Sequence, residues 1–454
     1  MQAYDTLRDA TRQRRRGTQP DRGGAERNQT EEARNATRQR RRGTQPDRRV
    51  ALTHYAGHVD LNDVRAARVL LEEVTEVTPM AHSRWLSSMT STQVYLKAEN
   101  LQRTGSFKIR GAYVRIFRLS EEERARGVVA ASAGNHAQGV ALAASLLGIK
   151  ATIFMPVGAA LPKVAATQGY GADIQFHGTG VTEALVPARE FAERTGAVLI
   201  HPFDHEDIIA GQGTAGLEIL EQCPDVKTIL VPLGGGGLTA GIALLRTERP
   251  DLRIIGVQAE DAAAYPSSLA QGHPVSSVMG PTMADGIAVA QPGDIPFEIL
   301  ASLLDEVITV SEGSMSRALI SLLERAKLLV EPAGAAGVAA ILERPHAFEG
   351  PVVAVLSGGN IDALVLLDVI RQGLAAAGRF LMFRCRISDR PGALMGLLTD
   401  LAEMQVNVLN VNHDRASDSL GVRQVDVDMQ VATRGNQHKA EVRNRLVELG
   451  YHLV

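Results

Sequence analysis

The chain is poor in cysteine and in aromatic side chains. Among 454 residues only Cys223 and Cys385 are cysteines, far apart and without metal-ligand spacing. That excludes a disulfide scaffold and a thiolate zinc site, and it fits buried thiols in a reducing cytosol. Aromatic residues make up 4 % of the sequence, with a single tryptophan, so the core must be built from Ala, Val, Leu and Ile. No apolar run reaches the ~18 residues that a membrane span needs, and the start lacks a signal-peptide pattern. The net charge of −3 gives no bulk attraction to nucleic acid or to a membrane surface. The length allows about three domains of ~150 residues each.

Lysine is missing altogether from residues 1–49, where 14 arginines face 7 acidic residues. Within that stretch Ala-Thr-Arg-Gln-Arg-Arg-Arg-Gly-Thr-Gln-Pro-Asp-Arg occupies 10–22 and recurs identically at 36–48. So few apolar residues cannot bury a core, and the segment is expected to be disordered. A functional reading is a polybasic, RNA-binding arm. The perfect repeat favours duplicated DNA ahead of a functional protein that begins near Val50.

From about residue 60 short β-branched runs alternate with Ala/Leu-rich helical stretches. Strands are expected at Gly127–Ser132, Lys150–Met155, Ala172–Phe176, Thr228–Leu233, Arg253–Gln258 and Pro351–Leu356, and helices at His136–Leu147 and Leu238–Thr247. This alternation predicts an α/β fold of parallel sheets covered on both faces. We place one domain at 50–375, with a smaller lobe at about 100–200. Past a Gly378-Arg379 hinge the order becomes strand, helix, strand, strand, helix, strand over 380–454. That is the ferredoxin-like βαββαβ order.

Four motifs carry chemistry. Lys108, after Phe107 and at an expected helix start, is a candidate amine for bonding to an aldehyde cofactor, provided its pKa is lowered. Arg110 either helps to lower it or pairs with a carboxylate. Gly234, Gly235, Gly236 and Gly237 follow a strand and open a helix, the arrangement of a phosphate cradle. Gly235, Gly237 and Ala240, with Glu260 further on, also satisfy a dinucleotide-binding pattern, but that reading explains none of the other motifs. Ser132, Ala133, Gly134, Asn135 and His136 lie between a strand and a helix and suit a substrate carboxylate. Asn135 is also positioned for a cofactor ring oxygen, and His136 alone reads as a capping or packing residue. Ser357, followed by Gly358, ends a strand at a carboxyl edge, where open α/β sheets bind ligands. A neutral hydroxyl beside a pyridine nitrogen would leave that nitrogen unprotonated.

Together these residues resemble the fold-type-II pyridoxal-phosphate enzymes, a tryptophan synthase β-like fold of two lobes. Within that family the chain is most similar to the threonine dehydratases (threonine ammonia-lyases) that carry one C-terminal ACT domain. The resemblance covers about 60–454. It implies that Lys108 holds pyridoxal 5′-phosphate, that Asn135 contacts its 3′ oxygen and that Gly234 to Leu238 hold its phosphate. It further implies that Ser357 faces the pyridine nitrogen and that Asp285, Gly286 and Glu331 line the site. The implied activity is carbon–nitrogen lyase chemistry, deaminating threonine to 2-oxobutanoate and ammonia, with Lys108 as the base. An ACT domain implies a homo-oligomer, a tetramer in this family, and a small effector near Gly392, Ala393, Leu394 and Asn407. Isoleucine feedback would mark a biosynthetic enzyme and nucleotide activation a catabolic one, and the sequence leaves both open. Serine dehydratase or racemase activity is the alternative within the fold, and a non-catalytic amino-acid sensor the alternative outside it. Ala133 stands where the racemase pattern has a second serine. Gln258, Ala262 and Ala264 stand where its divalent-metal site needs acids, so no such divalent site is expected, which leaves a monovalent cation open.

Overall fold

A computed structural model of the protein describes residues 59–415 and 420–453. The arginine-rich repeat and the Val50 boundary lie outside the described residues. The larger sheet has six strands, in the spatial order Met80–His82, Val94–Lys97, Val352–Val355, Thr228–Pro232, Arg253–Ala259 and Glu306–Val310. Five run parallel, while the edge strand Met80–His82 pairs antiparallel with Val94–Lys97. The smaller sheet is all parallel, in the order Asp173–Phe176, Ala151–Met155, Val128–Ala131 and Val198–Leu199. The central strands Val128–Ala131, Ala151–Met155, Thr228–Pro232 and Val352–Val355 are buried at every residue. A parallel sheet covered by helices on both faces demands such continuous apolar runs.

The strands expected from β-branched runs form within one or two residues of their predicted ends. Four were not anticipated. Met80–His82, Val94–Lys97 and Val198–Leu199 are too short for a pattern, and Glu306–Val310 is only half-buried. The helix expected at Leu238–Thr247 is α-helical only over Gly237–Ala243 and tightens into a 3₁₀ turn at Leu244–Thr247, a common way to end a helix.

The helix Lys108–Phe117 is fixed in two ways. It approaches Glu206–Gln222 so closely that a Cβ on Gly211 would lie 2.6 Å from the Gly111 Cα. Two residues after Lys108, the buried Arg110 guanidinium donates to Glu99 (2.8 Å) and Glu218 (2.7 Å), and Lys97 Nζ donates to Glu218 (2.5 Å). Of the two roles considered for Arg110, the structure shows the carboxylate pairing. These four charges balance and tie a sheet strand to two helices. Their pairing matters because a buried charge without a partner is costly.

Residues 380–453 form a four-stranded antiparallel sheet in the order Asn407–Asp414, Gln424–Ala432, Phe380–Ser388 and His452–Leu453. Helices Ala393–Glu403 and Asn436–Glu448 complete the βαββαβ order. This domain has its own core, including Leu381, Phe383, Leu397, Leu401, Met429 and Leu446. The other sheet face carries the cross-strand pairs Arg384–Asp428 and Arg386–Asp426. At the junction Gly378 has φ +67°, and its carbonyl accepts a hydrogen bond from Thr433 Oγ1 (2.6 Å).

Candidate active site

Every catalytic motif read from the sequence sits at a strand's carboxyl end or a helix start, and the fold turns these ends toward one cleft. The cleft has a volume of ≈ 780 Å³ and is lined by Phe107, Lys108, Ser132, Ala133, Gly134, Asn135, His136, Gly234, Gly235, Gly236, Gly237, Leu238, Asp285, Gly286, Glu331 and Ser357. Gly358 stands just behind this wall. Its carbonyl accepts from the Glu331 N–H (3.0 Å), and it bridges to Ser106.

Lys108 opens its helix. Its Nζ donates to the Pro202 carbonyl (2.9 Å) and lies 5.1 Å from the Phe107 ring centre. Burial brings its pKa down to about 8, against a smaller opposing pull from Glu331. The lowered pKa makes the neutral amine accessible near neutral pH, and that is the form needed both for attack on an aldehyde and for taking up a proton.

The four glycines bridge the strand Thr228–Pro232 and the helix Gly237–Ala243. Gly236 has φ +106°, and a Cβ there would collide with the Tyr265 hydroxyl. At Gly235 and Gly237 a Cβ would run into Phe203. Side chains are therefore excluded, and bare backbone at a helix start lines the cleft, an arrangement suited to a phosphate. The buried Gln212 Oε1, also in the cleft wall, has no hydrogen-bond partner among the described residues. A lowered amine facing a glycine cradle fits a phosphorylated aldehyde cofactor.

Asn135 is engaged on both ends of its amide. Its Nδ2 donates to Glu331 Oε1 (2.7 Å), and its Oδ1 accepts from Asn360 Nδ2 (2.8 Å). Glu331 is buried, which raises its pKa to about 7, with nearby Asp285 adding to the shift. His136 Nε2 donates to the Ile200 carbonyl (2.8 Å), and burial, with Lys108 beside it, pushes its pKa down to about 3. A neutral, carbonyl-bound ring matches the packing role and brings no positive charge to a carboxylate. Ser132 Oγ accepts from the Gly134 N–H (3.2 Å), shaping the loop.

Glu260 sits in the short turn Glu260–Ala262 and is not part of the cleft wall, so the dinucleotide pattern is not assembled. Gln258 Oε1 accepts from the buried Tyr265 N–H (3.0 Å), a structural bond. In the C-terminal domain Gly392, with φ +89°, caps the helix Ala393–Glu403, Leu394 packs against that domain's core and Asn407 begins an exposed edge strand.

Sequence reasoning missed Lys163, Arg189, His201 and Gln212 in the wall. Lys163 opens a helix after the carboxyl end of Ala151–Met155, and that position was the one signal available.

Residues 71–358 match the family described as pyridoxal-phosphate dependent enzyme. The chain is 45 % identical over 396 residues to the L-threonine ammonia-lyase of Thermotoga maritima, covering 87 % of this chain and 99 % of that one. Among solved structures, the processed form of threonine deaminase isoform 2 from Solanum lycopersicum superposes with a TM-score of 0.66 at 37 % identity, over 69 % of this chain and 92 % of that one. Maize serine racemase gives a TM-score of 0.66 at 35 % identity, over 70 % and 99 %. With its lysine, its glycine cradle and these relatives, the chain belongs to the pyridoxal-phosphate-dependent enzymes.

Proposed function

We propose that the protein is a threonine ammonia-lyase that converts L-threonine to 2-oxobutanoate and ammonia. The observation that carries this is Lys108, its amine near neutrality, facing the glycine cradle in a chain that resembles threonine lyases over nearly its whole described length. When bound, pyridoxal phosphate supplies a sink for the electron pair left as the Cα–H bond breaks. The N–H groups of Gly234 to Leu238 would hold the phosphate, Asn135 the 3′ oxygen, and Ser357 would face the pyridine nitrogen. The loop Ser132–His136 would take the substrate carboxylate through its N–H groups. Lys108 Nζ takes the α-proton, and its lowered pKa suits that task near neutral pH. Phe107, Gly286 and Glu331 complete the walls, with Gly358 behind them.

Racemisation needs a second proton carrier on the opposite face of the substrate. Ala133 has none to offer, which favours elimination over racemisation. For residues 380–454 we propose an ACT-type regulatory role within a homotetramer. A small effector such as isoleucine would bind at Gly392, Ala393, Leu394 and Asn407, placing the enzyme on the route to isoleucine. The start of Ala393–Glu403, with Gly392 at the cap position and no side-chain capping bond, supports a carboxylate there.

The test is an absorbance spectrum of the purified protein before and after L-threonine, with 2-oxobutanoate assayed. A near-violet band that is lost in Lys108→Ala, together with keto-acid formation, supports the proposal. Absence of the band after adding pyridoxal phosphate, or a band without turnover, refutes it.

A further inference from the structure

Lys163 and Asp285 meet across the cleft from different lobes. Lys163 lies on the helix Leu161–Gly169, which packs beside the smaller sheet. Asp285 lies on the turn Asp285–Ile287, between Ala284 and Ile287, which both belong to the core of the larger lobe. The two side chains form an ion pair at 3.2 Å. Their exposures differ: Lys163 is 15 % exposed and enclosed, whereas Asp285 is 68 % exposed and open to water. The Lys163 ammonium also stands over the loop Ser132–His136, since a Cβ on Gly134 would lie 3.7 Å from its Nζ.

That loop lacks a positive charge of its own, because His136 is held neutral by burial and the Ile200 carbonyl. Backbone N–H groups can orient a carboxylate, but an enclosed ammonium beside them strengthens the site, since charge-assisted hydrogen bonds are the stronger ones. We propose that Lys163 is a substrate-binding residue that pairs with the α-carboxylate, and that Asp285 occupies its ammonium until substrate arrives. The inference rests on the carboxylate reading of Ser132–His136. The exchange is favourable because the hydrated Asp285 returns to water at little cost, while the incoming carboxylate gains an enclosed partner.

The two partners predict effects of opposite sign. Lys163→Gln removes the partner and raises KM for L-threonine by about 10- to 100-fold, falling mainly on KM rather than kcat. Lys163→Arg keeps the charge and stays within a few-fold of the parent. Asp285→Asn removes the competing anion and lowers KM by roughly two- to fivefold. Calorimetric titration of the holoenzyme with propionate, an unreactive short carboxylate, follows the same order of affinities. If the contact were only an interlobe brace, Lys163→Gln and Asp285→Asn would shift KM in the same direction, and that result overturns the proposal. Unchanged KM and propionate affinity in Lys163→Gln overturns it as well. A parent enzyme that turns over no threonine, yet loses propionate binding in Lys163→Gln, sinks the threonine assignment and leaves the carboxylate site standing.

Discussion

At the scale of single residues the cleft holds two groups moved toward neutrality from opposite sides. Lys108 is lowered to about 8 and Glu331 raised to about 7, in both cases chiefly by burial. In the cofactor-free protein, labelling of Lys108 by an amine reagent should rise with a midpoint near pH 8. A midpoint near the ordinary lysine value of 10.5 would contradict the burial argument. Stability follows the same shifts with opposite signs. Between pH 8 and 10.5 the unfolded chain binds the Lys108 proton that the folded chain lacks, so this group's destabilisation fades as pH rises through that window. Between about pH 4.5 and 7 the folded chain keeps the Glu331 proton that the unfolded chain has lost, so stability falls as pH rises. Above pH 7 the buried carboxylate is a fixed cost. Glu331→Gln keeps an oxygen to accept from Asn135 and has no charge to bury. It should therefore raise the melting temperature of the cofactor-free protein by a few degrees at pH 8.5 and leave it unchanged at pH 4.5, as scanning calorimetry would show.

At the scale of elements, the helix that carries Lys108 is held by charge and by glycine. Arg110 joins Glu99 and Glu218, with Lys97 on the far side of Glu218. Replacing Arg110 with alanine strands Glu99 and Glu218 in the interior and should cost about 3–5 kcal/mol, measured by urea unfolding. A cost below about 1 kcal/mol would mean that water reaches the cluster. Gly236→Ala sets a β-carbon against Tyr265 at a positive φ, so it should weaken cofactor retention in dialysis more than it lowers the melting temperature. The glycine cradle and Lys108 were legible because a strand followed by Gly-Gly-Gly-Gly, and a lysine at a helix start, are local patterns. The Arg110 cluster was not, since its partners lie 11 and 108 positions away in sequence and nothing in the spacing joins them.

At the scale of the whole molecule, the C-terminal domain has a separate core and joins the rest near Gly378, where Arg379 also pairs with Glu324. Removing residues 378–454 should leave a catalytic part that still forms 2-oxobutanoate but has lost its response to isoleucine, read by steady-state assay with and without the amino acid. An isoleucine response that survives the truncation would move the effector site into the catalytic domain. The described residues include no helix long and apolar enough to cross a membrane.

The sequence by itself determined the strand–helix alternation and the parallel pairing it implies, the βαββαβ tail and the four motifs, because period, turn chemistry and glycine runs act over a few residues. It placed those motifs at strand ends and helix starts, so their convergence followed from the fold class. Only the tertiary structure decided the partners: Pro202 for Lys108, Glu331 and Asn360 for Asn135, Ile200 for His136, and Asp285 for Lys163. The reason is physical. Burial, ion pairing and the pKa shifts they cause depend on distances between segments far apart in the chain, and no local pattern encodes those distances.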